Sequence, residues 1–213
     1  MNFDEFLVSL SKVKNIPLPA ETSQFKMAPP FRGELVSRYK EAMKNAKRAG
    51  VLAMFYPDSS YQTQLALILR KTYKGVHSAQ IGFPGGKYED DDKTLKQTAI
   101  RETFEEIGVE KHKIEVIKQM TEVYIPPSNF YVQPFIGITH QTPKFIKQEE
   151  EVEDILEVAL HHFLDENIVV NKLVSTSYTV KVEVPAYELN GHLVWGATAM
   201  MLSEIKDILN EVL

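Results

Sequence analysis

Residues 83–109 read FPGGKYEDDDKTLKQTAIRETFEEIGV and carry the strongest structural signals in this chain of 213 residues. Thr94 and Gln97 have the spacing of a capping box, which marks the start of a helix. Gly108 stands where a left-handed glycine commonly ends a helix. Together these residues predict a helix that begins at Thr94 and ends at Ile107, directly before the glycine.

Three glutamates share one face of this predicted helix, because Glu102, Glu105 and Glu106 are spaced i, i+3 and i+4. Like charges at this spacing repel one another, and a pair between Arg101 and Glu105 relieves only part of the repulsion. A divalent cation would relieve the rest, since Mg²⁺ and Mn²⁺ prefer carboxylate oxygens. The opposite face is apolar and is expected to pack on a sheet through Ile100, Phe104 and Ile107.

A simpler interpretation of these glutamates is that they are solvated, as most glutamates on helix faces are. However, the pattern Arg-Glu-x-x-Glu-Glu-x-Gly arises by chance in a chain of this length with a frequency on the order of one in ten thousand. The upstream turn at Gly85 and Gly86 lets the backbone approach the same helix face, because glycine adopts conformations that other residues avoid. We therefore assign these two glycines to substrate binding.

Composition argues against several classes of protein. Apolar residues make up 44% of the chain and charged residues 25%, which suits a protein with a buried core. The net charge of −5 argues against binding to nucleic acid. The absence of cysteine excludes disulfides, thiolate zinc sites and thiol nucleophiles. No run approaches the roughly 18–20 apolar residues of a membrane helix. Residues 1–5 lack a signal-peptide pattern, so we expect a cytoplasmic protein without a membrane partner.

Periodicity predicts three further helices, at Phe3–Lys14, Glu34–Arg48 and Ala197–Val212. The second of these is expected to end at Gly50. A change in period follows this glycine, and it suggests two units. These are a small N-terminal helical cap at residues 1–49 and a main domain at residues 50–213.

Short apolar runs predict strands at Val51–Tyr56, Gln64–Leu69, Ile114–Tyr124, Tyr131–Ile138, Thr179–Glu183, Ala186–Leu189 and His192–Trp195. The run Val152–Leu160 fits either a strand or a helix, and a short helix follows it through Phe163. Asn190-Gly191 predicts a type I′ hairpin turn. This order of elements indicates a mixed α/β fold.

The segment around the predicted helix resembles the signature of the Nudix hydrolase family, Gly-x5-Glu-x7-Arg-Glu-U-x-Glu-Glu-x-Gly-U, in which U is bulky and apolar. The second half of the signature matches residues 101–109, apart from Thr103 at a U position. The first half departs from it, because Asp92 replaces the glutamate and Arg101 comes one residue late. The resemblance implies an α/β/α sandwich with a mixed sheet between helices, over about residues 50–213.

These departures look like those of a Nudix subgroup similar to coenzyme A pyrophosphatases. The resemblance to that subgroup covers residues 67–72, LILRKT, and residues 79–86, AQIGFPGG, with acids after them at Glu89 and Asp92. Two positions differ from the subgroup's pattern, since Lys71 replaces an arginine and Ala79 a glycine. The resemblance implies hydrolysis of coenzyme A or its thioesters to 3′,5′-ADP and a 4′-phosphopantetheine.

The family resemblance also implies roles for individual residues. Glu102, Glu105 and Glu106 would bind Mg²⁺ or Mn²⁺, and Arg101 would orient a glutamate without touching the substrate. Glu151 matches the place where Nudix proteins often bring in another acid, so it is the candidate general base. Against this, a run of glutamates before a strand is usually a solvated loop. The catalytic candidates are therefore Arg101, Glu102, Glu105, Glu106 and Glu151.

Several alternatives stay open at the level of sequence. The same chemistry could act on ADP-ribose, NADH or a dinucleotide, and the chain could instead be a non-catalytic nucleotide sensor or an acidic interaction module. Arg70, Lys71 and Lys74 are candidates for contacting the 3′-phosphate of coenzyme A, but each is more simply an ordinary strand-end or loop charge. His77 could border the cleft. A homodimer through the N-terminal cap is allowed by the pattern without being required.

Overall fold

The computed structural model describes residues 1–71, 80–174 and 181–213. Its helices are α1 (Phe3–Val13), α2 (Glu21–Gln24), α3 (Arg32–Arg38), α4 (Leu95–Ile107), α5 (Leu160–Leu164) and α6 (Gly196–Val212). Its strands are β1 (Lys47–Pro57), β2 (Thr63–Arg70), β3 (Ile81–Gly82), β4 (Gly85–Lys87), β5 (Glu115–Gln119), β6 (Val123–Ile125), β7 (Phe130–Ile138), β8 (Val152–Ala159), β9 (Val169–Val174), β10 (Val182–Leu189) and β11 (His192–Trp195).

The main sheet is mixed and has β1 at its centre. Its order is β3-β2-β1-β7-β5, in which β1 runs parallel to β7 and antiparallel to β2. Three further strands pair with members of this series: β4 with β1, β6 with β7, and β8 with β2. A second sheet has the antiparallel order β11-β10-β9. Because β4 joins the first residues of β1, the glycine turn lies at the start of the central strand.

Alternation along β1 creates a core on each side of the main sheet. Leu52, Met54 and Tyr56 are fully buried and face the cluster that contains Ile107 of α4. The intervening Phe55 is also fully buried, but it belongs to the cluster formed with α1 and α6. The sheet is therefore covered by helices on both faces, which confirms the predicted α/β/α sandwich.

The predicted helix at Glu34–Arg48 is wrong in its second half. Helix α3 ends at Arg38, a 3₁₀ turn covers Ala42–Asn45, and the chain then enters β1 at Lys47. Nine consecutive residues of β1 pair with β7, from Lys47 opposite Phe130 to Phe55 opposite Ile138. These pairings join segments about eighty positions apart in the chain, so the local helical pattern could not reveal them.

Gly50 has a different role from the predicted helix stop. It lies inside β1, and a Cβ at this position would collide with the carbonyl oxygen of Leu95. The glycine therefore allows the first turn of α4 to pack directly on the central strand. Gly50 therefore serves the packing of α4 on β1, and the prediction that it ends a helix is wrong.

The predicted strand boundaries are corrected in three places. The run Ile114–Tyr124 forms two strands, β5 and β6, and both pair with β7. The run Val152–Leu160 is strand β8 with α5 after it. The predicted strands at Thr179–Glu183 and Ala186–Leu189 are joined in β10 from Val182 onward, while residues 175–180 lie outside the described part of the chain.

The Asn190-Gly191 turn is confirmed. Its two residues have φ values of 50° and 80°, as a type I′ turn requires. It joins β10 to β11, which leads directly into α6.

The N-terminal segment shares the core on the α6 side of the sheet. Phe3, Phe6 and Leu10 lie on the buried face of α1, and the ring of Phe6 lies 5.1 Å from that of Phe55. The division at residues 1–49 and 50–213 stays a prediction, and the structure adds that β1 already begins at Lys47. No helix in the described ranges combines the length and apolarity that crossing a membrane requires.

A buried carboxylate fastens the N-terminal segment to α6. Glu204 is fully buried and accepts four hydrogen bonds, two of them from Thr121 through its amide and its hydroxyl, at 3.2 and 2.5 Å. The other two come from the amide of Ala20 and the side chain of Gln24, each at 3.2 Å. These four hydrogen bonds satisfy both oxygens of the buried carboxylate.

We predict that Glu204→Gln lowers the free energy of unfolding by about 3 kcal/mol, because the new amide group would face hydrogen-bond donors. Urea unfolding measured by circular dichroism tests this. Glu211→Gln is the matched control, since Glu211 is exposed on the same helix, and it should change stability by less than about 0.5 kcal/mol. Equal effects of the two substitutions would contradict the structural role of Glu204.

Candidate active site

Helix α4 has the ends that the sequence predicts. The hydroxyl of Thr94 accepts a hydrogen bond from the amide of Gln97 at 3.3 Å, which is the capping interaction. Gly108 adopts a left-handed conformation with φ at 76°, and its amide donates to the carbonyl of Phe104. The helix that carries the three glutamates is therefore placed by its own local sequence.

The buried face of α4 differs from the predicted apolar stripe. Ile107 is fully buried as expected, but Phe104 is 43% exposed, and the ammonium of Lys111 lies 5.4 Å from its ring centroid. Thr103 and Glu106 are buried instead. The hydroxyl of Thr103 is satisfied by the carbonyl of Ala99 at 2.6 Å, so its burial leaves no donor unpaired.

Glu106 lies inside the site, where it is 2% exposed. Its Oε2 accepts a hydrogen bond from the amide of Gly85 at 2.7 Å, and its Oε1 lies 3.4 Å from Nη2 of Arg70. Burial raises the pKa of Glu106 to about 7, and the charges of Glu102 and Glu151 act in the same direction. Arg70 and the Gly85 amide oppose this rise because they favour the charged form.

Glu102 lies against the backbone of the glycine turn. A Cβ at Gly86 would overlap the carboxylate of Glu102, so the missing side chain provides the space that this carboxylate fills. Burial is the main cause of the raised pKa of Glu102, and the charges of Glu105 and Glu151 add to it. The structure thus brings the glycine pair and the glutamate helix together.

Arg101 connects the remaining acids. Its Nη1 donates to Oε1 of Glu102 at 3.0 Å and to Oε2 of Glu105 at 2.9 Å. Its Nε and Nη2 donate to the two carboxylate oxygens of Asp92, at 3.1 and 2.9 Å. Nη2 also donates to the carbonyl of Lys87 in the strand beside the site. Arg101 therefore holds two of the three glutamates, and its role in catalysis stays a prediction.

Asp92 positions Arg101, a role that the sequence pattern by itself does not assign. Besides its paired contact with Arg101, it accepts a hydrogen bond from the hydroxyl of Thr98 at 2.9 Å and from the amide of Glu89 at 3.1 Å. The hydrogen bonds from Arg101 are the largest cause of its low pKa, about 2. The sequence marks Asp92 as the acid in place of the signature glutamate, nine positions before the arginine, but the pattern does not show that it contacts Arg101.

Glu151 lies on a loop that is attached to the end of α4. The amide of Ile146 donates to the carbonyl of Ile107, and the amide of Gln148 donates to the carbonyl of Glu106, both at 3.0 Å. The side chain of Gln148 then accepts hydrogen bonds from the amides of Glu150 and Glu151 at 2.9 and 2.7 Å. The carboxylate of Glu151 is exposed, yet its charge raises the pKa of both Glu102 and Glu106.

The sequence allows Arg70 to be a 3′-phosphate contact or, more simply, a strand-end charge, and the structure places it beside Glu106 and Gly85. The alternation of β2 was the available signal, because Ala66 and Ile68 face α4 and residue 70 continues the same period. Lys74, His77 and Ala79 lie outside the described residues.

The carboxylates suit a hard divalent cation in their chemistry. Within residues 1–71, 80–174 and 181–213, no three acidic or imidazole side chains form a ready-made coordination group, because protein donors hold each glutamate. The metal ligands on offer are nevertheless all carboxylate oxygens, from Glu102, Glu105 and Glu106. Burial raises the pKa values of Glu102 and Glu106. A divalent cation would offset this excess negative charge, so the three residues fit Mg²⁺ or Mn²⁺.

Comparisons with known proteins relate this chain to a family. The family model of the NUDIX domain matches residues 46–172. The chain is 28% identical over 155 residues to the peroxisomal coenzyme A diphosphatase ndx-8 of Caenorhabditis elegans. The match covers 72% of this chain and 64% of that protein. It is 36% identical over 124 residues to Nudix hydrolase 15, mitochondrial, of Arabidopsis thaliana, covering 57% of this chain and 43% of that protein. The chain thus spans less than two thirds of either relative.

A solved structure supports the same fold. The MutT protein from Methanosarcina mazei Go1 has a TM-score of 0.50 and 15% identity, and the match covers 78% of this chain and 97% of that chain. At this level of identity the likeness concerns the arrangement of helices and strands alone.

We predict that Asp92→Asn lowers the free energy of unfolding by about 2 kcal/mol near pH 7. The pKa of the folded-state carboxyl is lowered to about 2, so Asp92 stabilises the protein fully above about pH 4 and loses this effect as the pH falls toward 2. Urea unfolding from pH 7 down to 3 should show the difference narrowing below about pH 4. The exposed neighbour Asp91 provides the control, and a similar loss in Asp91→Asn would refute the prediction.

We predict that Gly86→Ala weakens binding of Mn²⁺ about tenfold, because the new Cβ displaces the Glu102 carboxylate. The melting temperature should stay nearly unchanged, since the displaced atoms are the end of a flexible side chain. Electron paramagnetic resonance of free Mn²⁺ measures the affinity. Gly82→Ala is the control, because a Cβ there makes only ordinary contacts, the nearest at 3.8 Å. Unchanged affinity in Gly86→Ala would show that Glu102 binds no metal.

Proposed function

Because this chain belongs to the Nudix family, we propose that it hydrolyses the diphosphate of coenzyme A or its thioesters, which releases 3′,5′-ADP and a 4′-phosphopantetheine. The observation that carries the proposal is the face of α4, where Glu102 and Glu106 lie against the Gly85-Gly86 backbone. A carboxylate-rich face beside a turn without side chains suits a diphosphate that arrives together with a cation.

The chemistry of the proposed site is attack of water on one phosphorus atom, with departure of the other phosphate on the bridging oxygen. Bound Mg²⁺ or Mn²⁺ would neutralise charge on the diphosphate, with Glu102, Glu105 and Glu106 as its protein ligands. Arg101 holds two of these ligands in place through the contacts given above. Glu151 would accept the proton of the attacking water, since it is an exposed acid whose charge acts on both Glu102 and Glu106.

Coenzyme A is favoured over other nucleoside diphosphate derivatives by two observations. The first is the subgroup pattern in residues 67–72 and 79–86, with the acids at Glu89 and Asp92. The second is the similarity to the C. elegans coenzyme A diphosphatase. The substitutions Lys71 and Ala79 depart from that pattern, and they make ADP-ribose or a dinucleotide the alternative substrate class.

We further propose a cytoplasmic location and a small nucleotide as the binding partner. The proposal allows a homodimer without requiring one. The curated relatives carry the words peroxisomal and mitochondrial in their names. Fractionation of the native host cells, followed by immunoblotting, would test the location directly.

We predict that purified protein with Mg²⁺ or Mn²⁺ converts coenzyme A to 3′,5′-ADP and 4′-phosphopantetheine, and that a Glu105→Gln, Glu106→Gln double variant loses at least about a hundredfold in rate. Mass spectrometry identifies the products. Dephospho-coenzyme A and ADP-ribose, incubated in parallel, distinguish a requirement for the 3′-phosphate from general diphosphate hydrolysis.

Each outcome of this experiment bears on a separate part of the proposal. Cleavage of coenzyme A by the unaltered protein alone supports both the substrate and the role of α4. Cleavage of ADP-ribose with coenzyme A intact would refute the substrate and retain the reaction. If no diphosphate in the panel is cut, the nucleotide-sensor alternative gains support and the hydrolase proposal is wrong.

A further inference from the structure

We propose that Arg70 is a positioning residue that holds Glu106 and the Gly85 peptide in one arrangement, so that Glu106 can bind the divalent cation. The inference rests on the proposed function only in taking Glu106 as a metal ligand. It adds a residue from β2 to a site whose other members come from the glycine turn, α4 and the Glu151 loop.

A closed set of contacts links Arg70, Gly85 and Glu106. Nη2 of Arg70 donates to the carbonyl of Gly85 at 2.8 Å and lies 3.4 Å from Oε1 of Glu106. The amide of Gly85 donates to the other carboxylate oxygen of Glu106, Oε2, at 2.7 Å. One carboxylate oxygen therefore accepts a hydrogen bond from Gly85, the other forms an ion pair with Arg70, and Arg70 in turn donates to the Gly85 carbonyl. Such an arrangement restricts the rotation of the Glu106 side chain.

The Gly85 peptide is held by the sheet, which makes it a firm anchor for this set. Gly85 pairs with Val51 of β1, and its φ of 150° belongs to the region that favours glycine. A Cβ at Gly85 would lie 2.6 Å from the Cα of Val51, so the strands approach too closely for any side chain. Arg70 thus transmits the position of β1 and β4 to a carboxylate on α4.

The course of β2 directs the side chain of Arg70 toward the site. The pairing of β2 with β8 shifts register between Leu69 and Arg70, where Leu69 lies opposite Asp154 and Arg70 opposite Val152. The extra residue of this irregularity, Glu153, lies on β8, so β2 keeps its alternation and Arg70 lies on the same face as Ala66 and Ile68. The Arg70 side chain is 26% exposed, and the Glu106 side chain is 3% exposed. The guanidinium therefore contacts Glu106 at a mostly buried position, where a charged partner counts most.

A rival explanation is that Arg70 binds the phosphates of the substrate. The two explanations differ in what they predict before any substrate is added. A positioning residue affects metal binding even when no substrate is present. A residue that only contacts the substrate affects KM and leaves metal binding unchanged. Metal affinity and the separation of kcat from KM therefore distinguish them.

The test compares Arg70→Gln, Arg70→Lys and the control Arg48→Gln. Arg48 is a suitable control because it pairs with Glu122 near the surface and is 49% exposed. Mn²⁺ affinity is measured by electron paramagnetic resonance without substrate, and the melting temperature of each variant is recorded. Values of kcat and KM are then measured with whichever diphosphate the unaltered protein cleaves.

We expect Arg70→Gln to weaken Mn²⁺ binding about tenfold and to lower kcat by a similar factor, with KM changed less than about twofold. Arg70→Lys should recover part of both losses, since it keeps the charge but lacks the planar, fixed geometry of the guanidinium. A raised KM with unchanged Mn²⁺ affinity would overturn the proposal in favour of a phosphate contact. Unchanged values in both variants would overturn it as well.

Two controls separate this proposal from fold damage and from the choice of substrate. If Arg70→Gln fails to fold, Arg70→Lys carries the test, and wild-type Mn²⁺ affinity in that folded variant would refute the proposal. Mn²⁺ binding needs no substrate, so a failure to cleave coenzyme A leaves this measurement valid.

Discussion

The close approach of helix α4 to strands β1 and β4 is the constraint on which the site depends. Three residues without side chains permit it. Gly50 admits the first turn of α4, Gly85 admits the pairing of β4 with Val51, and Gly86 admits the carboxylate of Glu102. A methyl group at any of these positions would meet backbone or carboxylate atoms. The glutamates reach the backbone of the turn only because these contacts are open.

This close approach buries negative charge. Two arginines from different elements of the fold contact the buried carboxylates. Arg101 comes from α4 itself and holds Glu102 and Glu105. Arg70 comes from β2 and contacts Glu106 beside the Gly85 amide. Neither cation neutralises the whole group, since the pKa values of Glu102 and Glu106 are raised by burial and by neighbouring acids. A divalent cation is the chemical complement of this excess charge.

Asp92 shows how a departure from a family signature can be accommodated. The aspartate is one methylene shorter than glutamate, and the arginine follows one residue later than in the general pattern. Nevertheless, both oxygens of Asp92 bind Arg101, and Thr98 supplies a further hydrogen bond. The contact between acid and arginine is therefore present despite the shorter side chain and the altered spacing. Membership of the Nudix family is thus compatible with the altered first half of the signature.

The sequence by itself determined the ends of α4, the glutamates on it, the Asn190-Gly191 turn and most strands, because capping, periodicity and turn preferences act within a few residues. Only the tertiary structure decided that Lys47 begins a strand, that Phe104 is exposed while Glu106 is buried, and that Arg70 joins the site. Each of these depends on strand pairing or packing between segments far apart in the chain. Local propensity cannot encode such contacts, since their free energy exists only once the distant partner is in place.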